Sequence, residues 1–179
     1  MNCKTLAASL TLLLPLAVPA AVTQSSPDGA TVEHHFHIAA SPEDAWDALV
    51  HPESWWPSDH TWSGDRARLR LDAQAGGCFC ENWGEASAEH GRIVMAQPGT
   101  LLRFRGALGP LQDMAVTAVL TVKLVAAESG GTDATVTYRV SGDASHKLDA
   151  FIPVVDKVIG LQFGDFAAFA SARPPKPAP

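Results

Sequence analysis

The sequence predicts an α+β fold in which a curved antiparallel sheet of seven strands wraps around one long C-terminal helix. Seven segments between residues 31 and 140 alternate apolar and polar side chains, which is the period of half-buried strands. Residues 145–170 instead repeat apolar side chains at steps of three and four, the period of a helix. Helices segregated from an antiparallel sheet define the α+β class. Because strand twist accumulates, we expect a sheet of this length to curl around the helix.

The first 20 residues show the pattern of a secretory signal peptide. Lys4 gives the short N-terminal region a positive charge, and residues 6–18 form an apolar stretch too short to span a bilayer comfortably. Val18-Pro19-Ala20 then places small residues before a cleavage point. An uncleaved membrane anchor is the alternative. We expect cleavage and export without a remaining membrane span, and the bacterial character of the signal indicates the periplasm.

One domain is expected to fill residues 31–171 of the 179-residue chain. Residues 21–30 are polar and contain Pro and Gly, which predicts a flexible leader, and the proline-rich residues 172–179 predict a disordered tail. The net charge is −6, and the three arginines of residues 66–70 are spaced as one solvated strand face. Since phosphate binding requires clustered cations, this composition excludes nucleic acid as a partner.

The first predicted strand is residues 31–39, and a helix begins directly after it. Ser41 has the character of an N-cap, Pro42 suits the first helical position, and two acids follow near the positive end of the helix dipole. The His51-Pro52 pair ends this helix, because the residue before a proline avoids helical geometry. The aromatic-rich residues 53–62 predict a second short helix that runs into a loop.

Six further strands follow, and several of the turns between them contain Gly or Pro-Gly. Their predicted ranges are 67–71, 78–83, 89–96, 101–106, 114–126 and 134–140. In the strand at 78–83, alternation places Phe79, Glu81 and Trp83 together on one face. Cys78 and Cys80 lie on the opposite face, and the alternation leaves open which of the two faces is concave.

The C-terminal helix, predicted over residues 145–170, carries the strongest helical pattern of the chain. Its apolar stripe consists of Leu148, Phe151, Ile152, Val155, Ile159, Phe163, Phe166 and Ala170. Pro153 has no N–H to donate, so it is expected either to kink the helix or to mark its first turn. Gly160 and Gly164 lie one turn apart and thin one face of the helix. Either a strand packs closely against them, or they leave room for a ligand.

Three motifs resemble the SRPBCC superfamily, whose members share the START-like, helix-grip fold. They are Ser41-Pro42-Glu43-Asp44-Ala45-Trp46-Asp47-Ala48-Leu49 after the first strand, Gly76-Gly77-Cys78-Phe79 at a strand entry, and Gly91-Arg92-Ile93-Val94 followed by Leu101-Leu102-Arg103-Phe104 in a hairpin. Within the superfamily the chain resembles the group of heat-shock-ATPase activator homologues and polyketide cyclase-like proteins. The resemblance covers residues 32–170.

The resemblance implies a deep cavity between the sheet and the C-terminal helix. It does not specify a function, because the superfamily hosts lipid carriers, hormone receptors, cyclases and co-chaperones. Members that stimulate the heat-shock ATPase act in the cytosol, where an exported chain would not meet that partner. The co-chaperone description is therefore taken to describe the fold only.

Aromatic side chains are expected to line such a cavity, since ligand sites are mostly apolar with a few polar groups. The predicted ligand-binding residues are Trp55, Trp56, Trp62, Phe79, Glu81, Trp83, Phe104, Phe151, Gly160 and Phe163. The alternative is that these aromatic residues simply fill the core. The clustering of four tryptophans between residues 55 and 83 favours the cavity for the group as a whole.

Glu81 and His90 are the candidate catalytic residues. If the face that carries Glu81 is concave, the carboxyl lies in an apolar cavity, where desolvation raises its pKa and makes it a candidate general base. His90 follows on the next predicted strand and could be its neighbour. If the face is convex, Glu81 is an ordinary surface acid.

No metal and no other cofactor is expected. His35 and His37 share a strand face, as do Cys78 and Cys80, but neither pair has a visible third ligand. The sequence leaves open the redox state of the two cysteines and the oligomeric state of the chain.

The leading hypothesis is an exported domain that binds a small apolar molecule, such as a lipid, a fatty acid or an aromatic metabolite. The second is a cyclase- or hydrolase-like enzyme that uses Glu81 and His90. The third is a protein-interaction domain, which an exposed apolar patch around Trp55 and Trp56 would indicate.

Overall fold

A computed structural model describes residues 22–174, in which eight strands form one antiparallel sheet. The strands are β1 Val22–Ser26, β2 Gly29–Ile38, β3 Leu69–Leu71, β4 Cys78–Trp83, β5 Ala86–Gln97, β6 Leu101–Arg105, β7 Val116–Ala126 and β8 Thr132–Gly142. The helices are α1 Pro42–Leu49 and α2 Leu148–Ala172. The sheet order is β1-β2-β8-β7-β6-β5-β4-β3, and the long helix packs mainly on β1 and β2 and against α1. The α+β class and the long C-terminal helix are thus confirmed.

The sheet has eight strands and not the seven that the sequence predicts. The additional strand is β1, which lies in the segment predicted as a flexible leader and pairs with β2 in a tight hairpin. The Ser26 hydroxyl donates to Asp28 Oδ1 at 2.7 Å and fixes the turn. Because the side chains of β1 do not alternate in polarity, its strand character comes from this pairing. The predicted signal peptide at residues 1–20 lies outside the described residues.

Helix α1 begins as predicted, with the Ser41 hydroxyl accepting a hydrogen bond from the Asp44 backbone N–H at 3.1 Å. The second short helix predicted after it is wrong. Two single 3₁₀ turns, Pro52–Ser54 and Ser58–His60, occupy that segment instead. Pro57 has no N–H to donate, so an α-helical hydrogen-bond ladder that starts at Pro52 cannot run through the segment.

Two β-bulges bend β5. Phe79 of β4 pairs with Gly91 and Cys80 pairs with Glu89, so His90 is an extra residue on β5. A second bulge lies further along the strand, where it pairs with β6. A bulge strengthens the local twist and breaks the alternation of the strand, so that two successive residues can lie on its inner face. His90 and Gly91 are accordingly both buried.

Gly106, directly after β6, is required by the close approach of the chain to this bulge. A Cβ atom at Gly106 would lie 2.1 Å from the carbonyl oxygen of His90 and 2.7 Å from the Cα of Gly91. Both distances are far below contact, so any side chain at Gly106 would displace the bulge that carries His90.

Helix α2 begins at Leu148, three residues later than predicted, and runs to Ala172, the first residue of the predicted tail. Residues 175–179 of that tail lie outside the described residues. Pro153 lies within the helix, near its N-terminal end. The bond that a residue at this position would donate to the carbonyl of Asp149 is therefore missing. None of the described helices is long and apolar enough to cross a membrane.

Gly160 of α2 packs closely against β2. A Cβ atom there would lie 2.8 Å from Cε1 of His34, whose Nε2 lies 2.9 Å from the Asp156 carboxylate. Gly164, one turn later, has only an ordinary contact, at 4.0 Å, with Phe36. Close packing thus accounts for Gly160, and its neighbour there is an imidazole of the sheet.

Candidate functional site

A cavity of about 340 Å³ lies between the sheet and the N-terminal half of α2. Its remaining walls are the loop around Trp62 and the turn at Gly109–Asp113. Engineered cavities of about 150 Å³ already hold benzene, so this space is sufficient for a small organic molecule.

Helix α2 supplies the largest share of the cavity wall. The side chains that it contributes are Phe151, Val154, Val155, Val158, Ile159 and Gln162. Five of these six are apolar, and their three- and four-residue spacing places them on one face of the helix. The wall also includes Leu108 and Leu111 from the segment after β6. The cavity is thus mainly apolar, with polar side chains at a few positions.

Glu81 and His90 form a buried hydrogen-bonded pair beside the cavity. His90 Nε2 lies 3.0 Å from Glu81 Oε2, and the two residues are 4% and 0% exposed. The backbone N–H groups of Trp62 and Ser63 donate to the same carboxylate at 3.0 and 2.6 Å. Only His90 of the pair lines the cavity. The carboxylate stands behind it and holds both the imidazole and the loop.

The pKa values of both groups are lowered, so His90 is a neutral imidazole beside an ionised Glu81 carboxylate near neutral pH. Burial raises the pKa of Glu81, but the hydrogen bonds from Ser63, Trp62 and His90 outweigh burial and hold the pKa below its ordinary value of 4.5. For His90, burial lowers the pKa. The neighbouring Glu81 raises it by a smaller amount, so the pKa of His90 lies below its ordinary value. The expectation of a raised pKa at Glu81 is therefore wrong, because two backbone N–H groups, which the sequence does not reveal, stabilise the ionised carboxylate.

This arrangement fixes the tautomer of His90. An ionised carboxylate only accepts hydrogen bonds, so the proton is on Nε2 and the lone pair is on Nδ1. Within the described residues no hydrogen bond reaches Nδ1. A neutral imidazole held in this way can accept a proton or a hydrogen bond from a molecule in the cavity.

The predicted ligand-binding residues fall into three groups. Trp56, Trp62 and Phe151 line the cavity. A second group surrounds a separate void of about 10 Å³ in the core and consists of Trp55, Phe79, Phe104 and Phe163. Glu81 lies behind His90, Gly160 faces His34, and Trp83 is half-buried at the end of β4.

The tryptophan pair at the start of the loop is buried. Trp55 and Trp56 are 4% and 2% exposed, with ring centroids 5.3 Å apart. Their indole N–H groups donate to the carbonyls of Ala48 at 2.9 Å and His60 at 3.1 Å. Trp55 and Trp56 therefore do not form the exposed apolar patch that would indicate a protein-interaction domain.

Tyr138 and Gln162 are among the cavity residues that the sequence does not indicate. Tyr138 on β8 is buried, and its hydroxyl accepts from the Leu108 N–H at 2.9 Å and donates to the Gly106 carbonyl at 3.2 Å. Burial strongly raises the pKa of Tyr138 and keeps the hydroxyl neutral. Gln162 interrupts the apolar stripe of α2 between Ile159 and Phe163. A polar residue in such a stripe is the signal that would have identified it.

The cysteine pair lies on the opposite face of the sheet strand from Glu81. Cys78 and Cys80 form a disulfide, and the Glu89 carboxylate lies within 4.8 Å of their sulfurs. Disulfide sulfurs lack the thiolate that binds metal ions. Of the histidines considered as ligands, His35 pairs with an acid at 3.2 Å and His37 with another at 3.0 Å.

No protein-family model and no curated protein matches the sequence. Solved structures do match. An uncharacterized protein from Rhizobium leguminosarum has a TM-score of 0.60 at 17% identity, covering 82% of this chain and 97% of that one. A Staphylococcus aureus protein of unknown function has a TM-score of 0.58 at 16% identity, covering 80% and 94%.

A third similar structure is the di-domain ARO/CYC StfQ from the steffimycin biosynthetic pathway. Its TM-score is 0.52 at 13% identity, with 82% of this chain matching 50% of that one. At these identities the likeness shows the fold alone, which is consistent with an SRPBCC-like fold.

Proposed function

We propose that this domain binds a small, largely apolar molecule, such as a lipid or an aromatic metabolite, in the cavity beneath α2. The observation that carries the proposal is the cavity itself, which has a volume of about 340 Å³ and mainly apolar walls. Well-packed interiors leave few voids larger than a water molecule. An apolar space of this size is therefore more than a packing defect, and burial of apolar ligand surface is the favourable free energy that it offers.

A neutral fluorescent probe tests this proposal. N-phenyl-1-naphthylamine brightens in apolar surroundings, and we expect a saturable, single-site rise in its emission. Val158→Phe should place a ring in the cavity, reduce the space left for the probe and weaken probe binding about tenfold. Leu161→Phe is the matched control, because Leu161 is 54% exposed and does not line the cavity. A probe signal that never saturates, or that Val158→Phe leaves unchanged, would refute the proposal.

A second candidate function is supported by the Glu81–His90 pair, whose histidine lines the cavity. His90 Nδ1 would take a proton from a bound substrate or from water, while Glu81 stabilises the imidazolium that forms. The fold likeness to the ARO/CYC StfQ makes cyclase-like chemistry a reasonable candidate beside hydrolysis.

Hydrolysis of 4-nitrophenyl acetate tests this chemistry. The rate should increase as the pH rises through the lowered pKa of His90, because only the neutral imidazole is a base. His90→Gln keeps a donor toward Glu81 and should remove this dependence. Equal rates in the two proteins across the pH range would argue against a catalytic His90.

Export is proposed on the signal-peptide pattern of residues 1–20. Expression of the full chain in a Gram-negative host should give a periplasmic product whose intact mass corresponds to a chain that begins at Ala21. An unprocessed product in the membrane fraction would favour the alternative of an uncleaved anchor.

A further inference from the structure

Gln162 carries an amide without a hydrogen-bond partner in the cavity wall. The residue is 4% exposed, and its Oε1 is buried with no partner among the described residues. No hydrogen bond to its Nε2 is found there either. A buried amide oxygen without a partner is unfavourable unless something else supplies one. Gln162 lines the cavity, so an occupant that the side-chain amide turns to meet is a group that can supply this partner.

Further unpaired polar atoms lie around the same cavity. Nδ1 of His60 is buried without a partner within residues 22–174, and Nδ1 of His90 carries a lone pair. The hydroxyl of Tyr138 is already used, since it bonds to Leu108 and Gly106. The hydrogen-bonding capacity that remains therefore includes one amide and two imidazoles, besides the exposed carboxylate of Asp59 and the indole of Trp62.

The charges around the cavity disfavour an anionic ligand. No Lys or Arg is present among its lining residues, whereas Asp59 is. The ionised carboxylate of Glu81 stands directly behind His90. A carboxylate ligand would lose its hydration here and gain no cation in exchange.

We infer that Gln162 anchors a neutral hydroxyl, so that the cavity selects apolar molecules with an alcohol or phenol group over hydrocarbons and carboxylates. A hydroxyl can donate to the amide oxygen and accept from the amide nitrogen at once. The inference holds for either orientation of the amide, because both orientations present a donor and an acceptor. It rests on the proposed binding function and specifies the ligand class for that site.

Three probes of nearly equal size separate the possibilities. Near neutral pH, the same ring position carries a neutral hydroxyl in 1-naphthol, a hydrogen in naphthalene and an ionised carboxylate in 1-naphthoate. By isothermal titration calorimetry we expect 1-naphthol to bind about tenfold more tightly than naphthalene, and 1-naphthoate to bind most weakly.

Gln162→Leu keeps the size of the side chain and removes the amide. We expect the preference of this variant for 1-naphthol over naphthalene to fall to about twofold or less. Naphthalene binding should persist, which shows that the variant is folded with its cavity intact. Gln97→Leu is the control, because Gln97 is exposed and does not line the cavity. It should leave all three affinities unchanged.

The outcomes distinguish the inference from the function on which it rests. Equal affinities for 1-naphthol and naphthalene, or tighter binding of 1-naphthoate, would overturn the role of Gln162 while leaving the binding function in place. A naphthol preference that survives in Gln162→Leu would overturn it as well. If none of the three probes nor N-phenyl-1-naphthylamine binds, the binding function itself fails.

Discussion

His90 Nε2 and Glu81 Oε2 lie 3.0 Å apart at a position where both residues are almost fully buried. The pKa of each group is held below its ordinary value, so the pair consists of a neutral imidazole and a carboxylate. Two backbone N–H groups of the Trp62 loop share that carboxylate. One buried charge therefore links strand β4, the bulge of β5 and the loop that covers the cavity.

Stability should fall on acidification in two stages. The ordinary pKa of His is 6.5, and the pKa of His90 in the folded protein is lower. As the pH drops below 6.5, the unfolded chain therefore binds a proton at this residue before the folded protein does, and the folded state loses stability. The pKa of Glu81 in the folded protein is likewise below its ordinary value of 4.5. The stability that the ionised Glu81 contributes is therefore lost as the pH falls from 4.5 through the folded pKa.

Urea unfolding between pH 7 and pH 3 measures this dependence. His90→Gln should remove the first stage and retain the second, so the difference between the two proteins isolates His90 from other titrating groups. An identical loss in both proteins between pH 7 and pH 5 would show that native His90 titrates normally.

Glu81→Gln should destabilise the fold by about 3 kcal/mol. The amide that replaces the carboxylate keeps one acceptor oxygen, but its NH₂ group faces donors and leaves at least one of them unsatisfied. Urea unfolding near neutral pH gives the change in the free energy of unfolding. Glu85→Gln is the matched control at an exposed position and should change it by less than about 0.5 kcal/mol. Similar values for the two variants would contradict the role given to Glu81.

Substitution of the two helix glycines by alanine should have opposite effects. Gly164→Ala meets only an ordinary contact at 4.0 Å and should stabilise the helix by up to about 1 kcal/mol. In Gly160→Ala the new methyl would lie 2.8 Å from Cε1 of His34, whose ring is held by Asp156. We expect a net loss of about 1–2 kcal/mol, because overpacking exceeds the gain in helix propensity. Thermal unfolding of both variants is the measurement, and a stabilised Gly160→Ala protein would refute close packing on His34.

Reduction of the disulfide should have a small effect. Cys78 and Cys80 are separated by one residue, so their bond removes little chain entropy from the unfolded state, equivalent to about 1–2 kcal/mol. The double variant Cys78→Ser with Cys80→Ser should show a loss of this size in urea and unchanged binding of N-phenyl-1-naphthylamine. A large fall in probe affinity would mean that the outer face of β4 controls the cavity.

Much of the architecture is predictable because alternation and helical periodicity report burial directly. Strand β8 and helix α2 follow from such patterns, and the N-cap at Ser41 follows from local hydrogen-bonding chemistry. Strand β1 is different, since its sequence VTQSS has no apolar alternation and its conformation is set by pairing with β2.

The site is less predictable for a geometric reason. Whether an inward aromatic ring meets the cavity or the core depends on how α2 and the Trp62 loop dock on the sheet. Trp55 and Trp56 are neighbours in sequence, yet only Trp56 reaches the cavity. Gln162 is visible in the sequence as a polar residue within an apolar stripe, but only the docking of α2 shows that this position meets an open space.

The bulge at His90 has a consequence for comparisons between such domains. His90 is the extra residue of β5 at the bulge, so it has no paired residue on β4. In an alignment with a chain whose corresponding strand is regular, this histidine would stand opposite a gap and be scored as an insertion. Other proteins with the same buried pair should therefore carry the same extra residue in the strand that corresponds to β5.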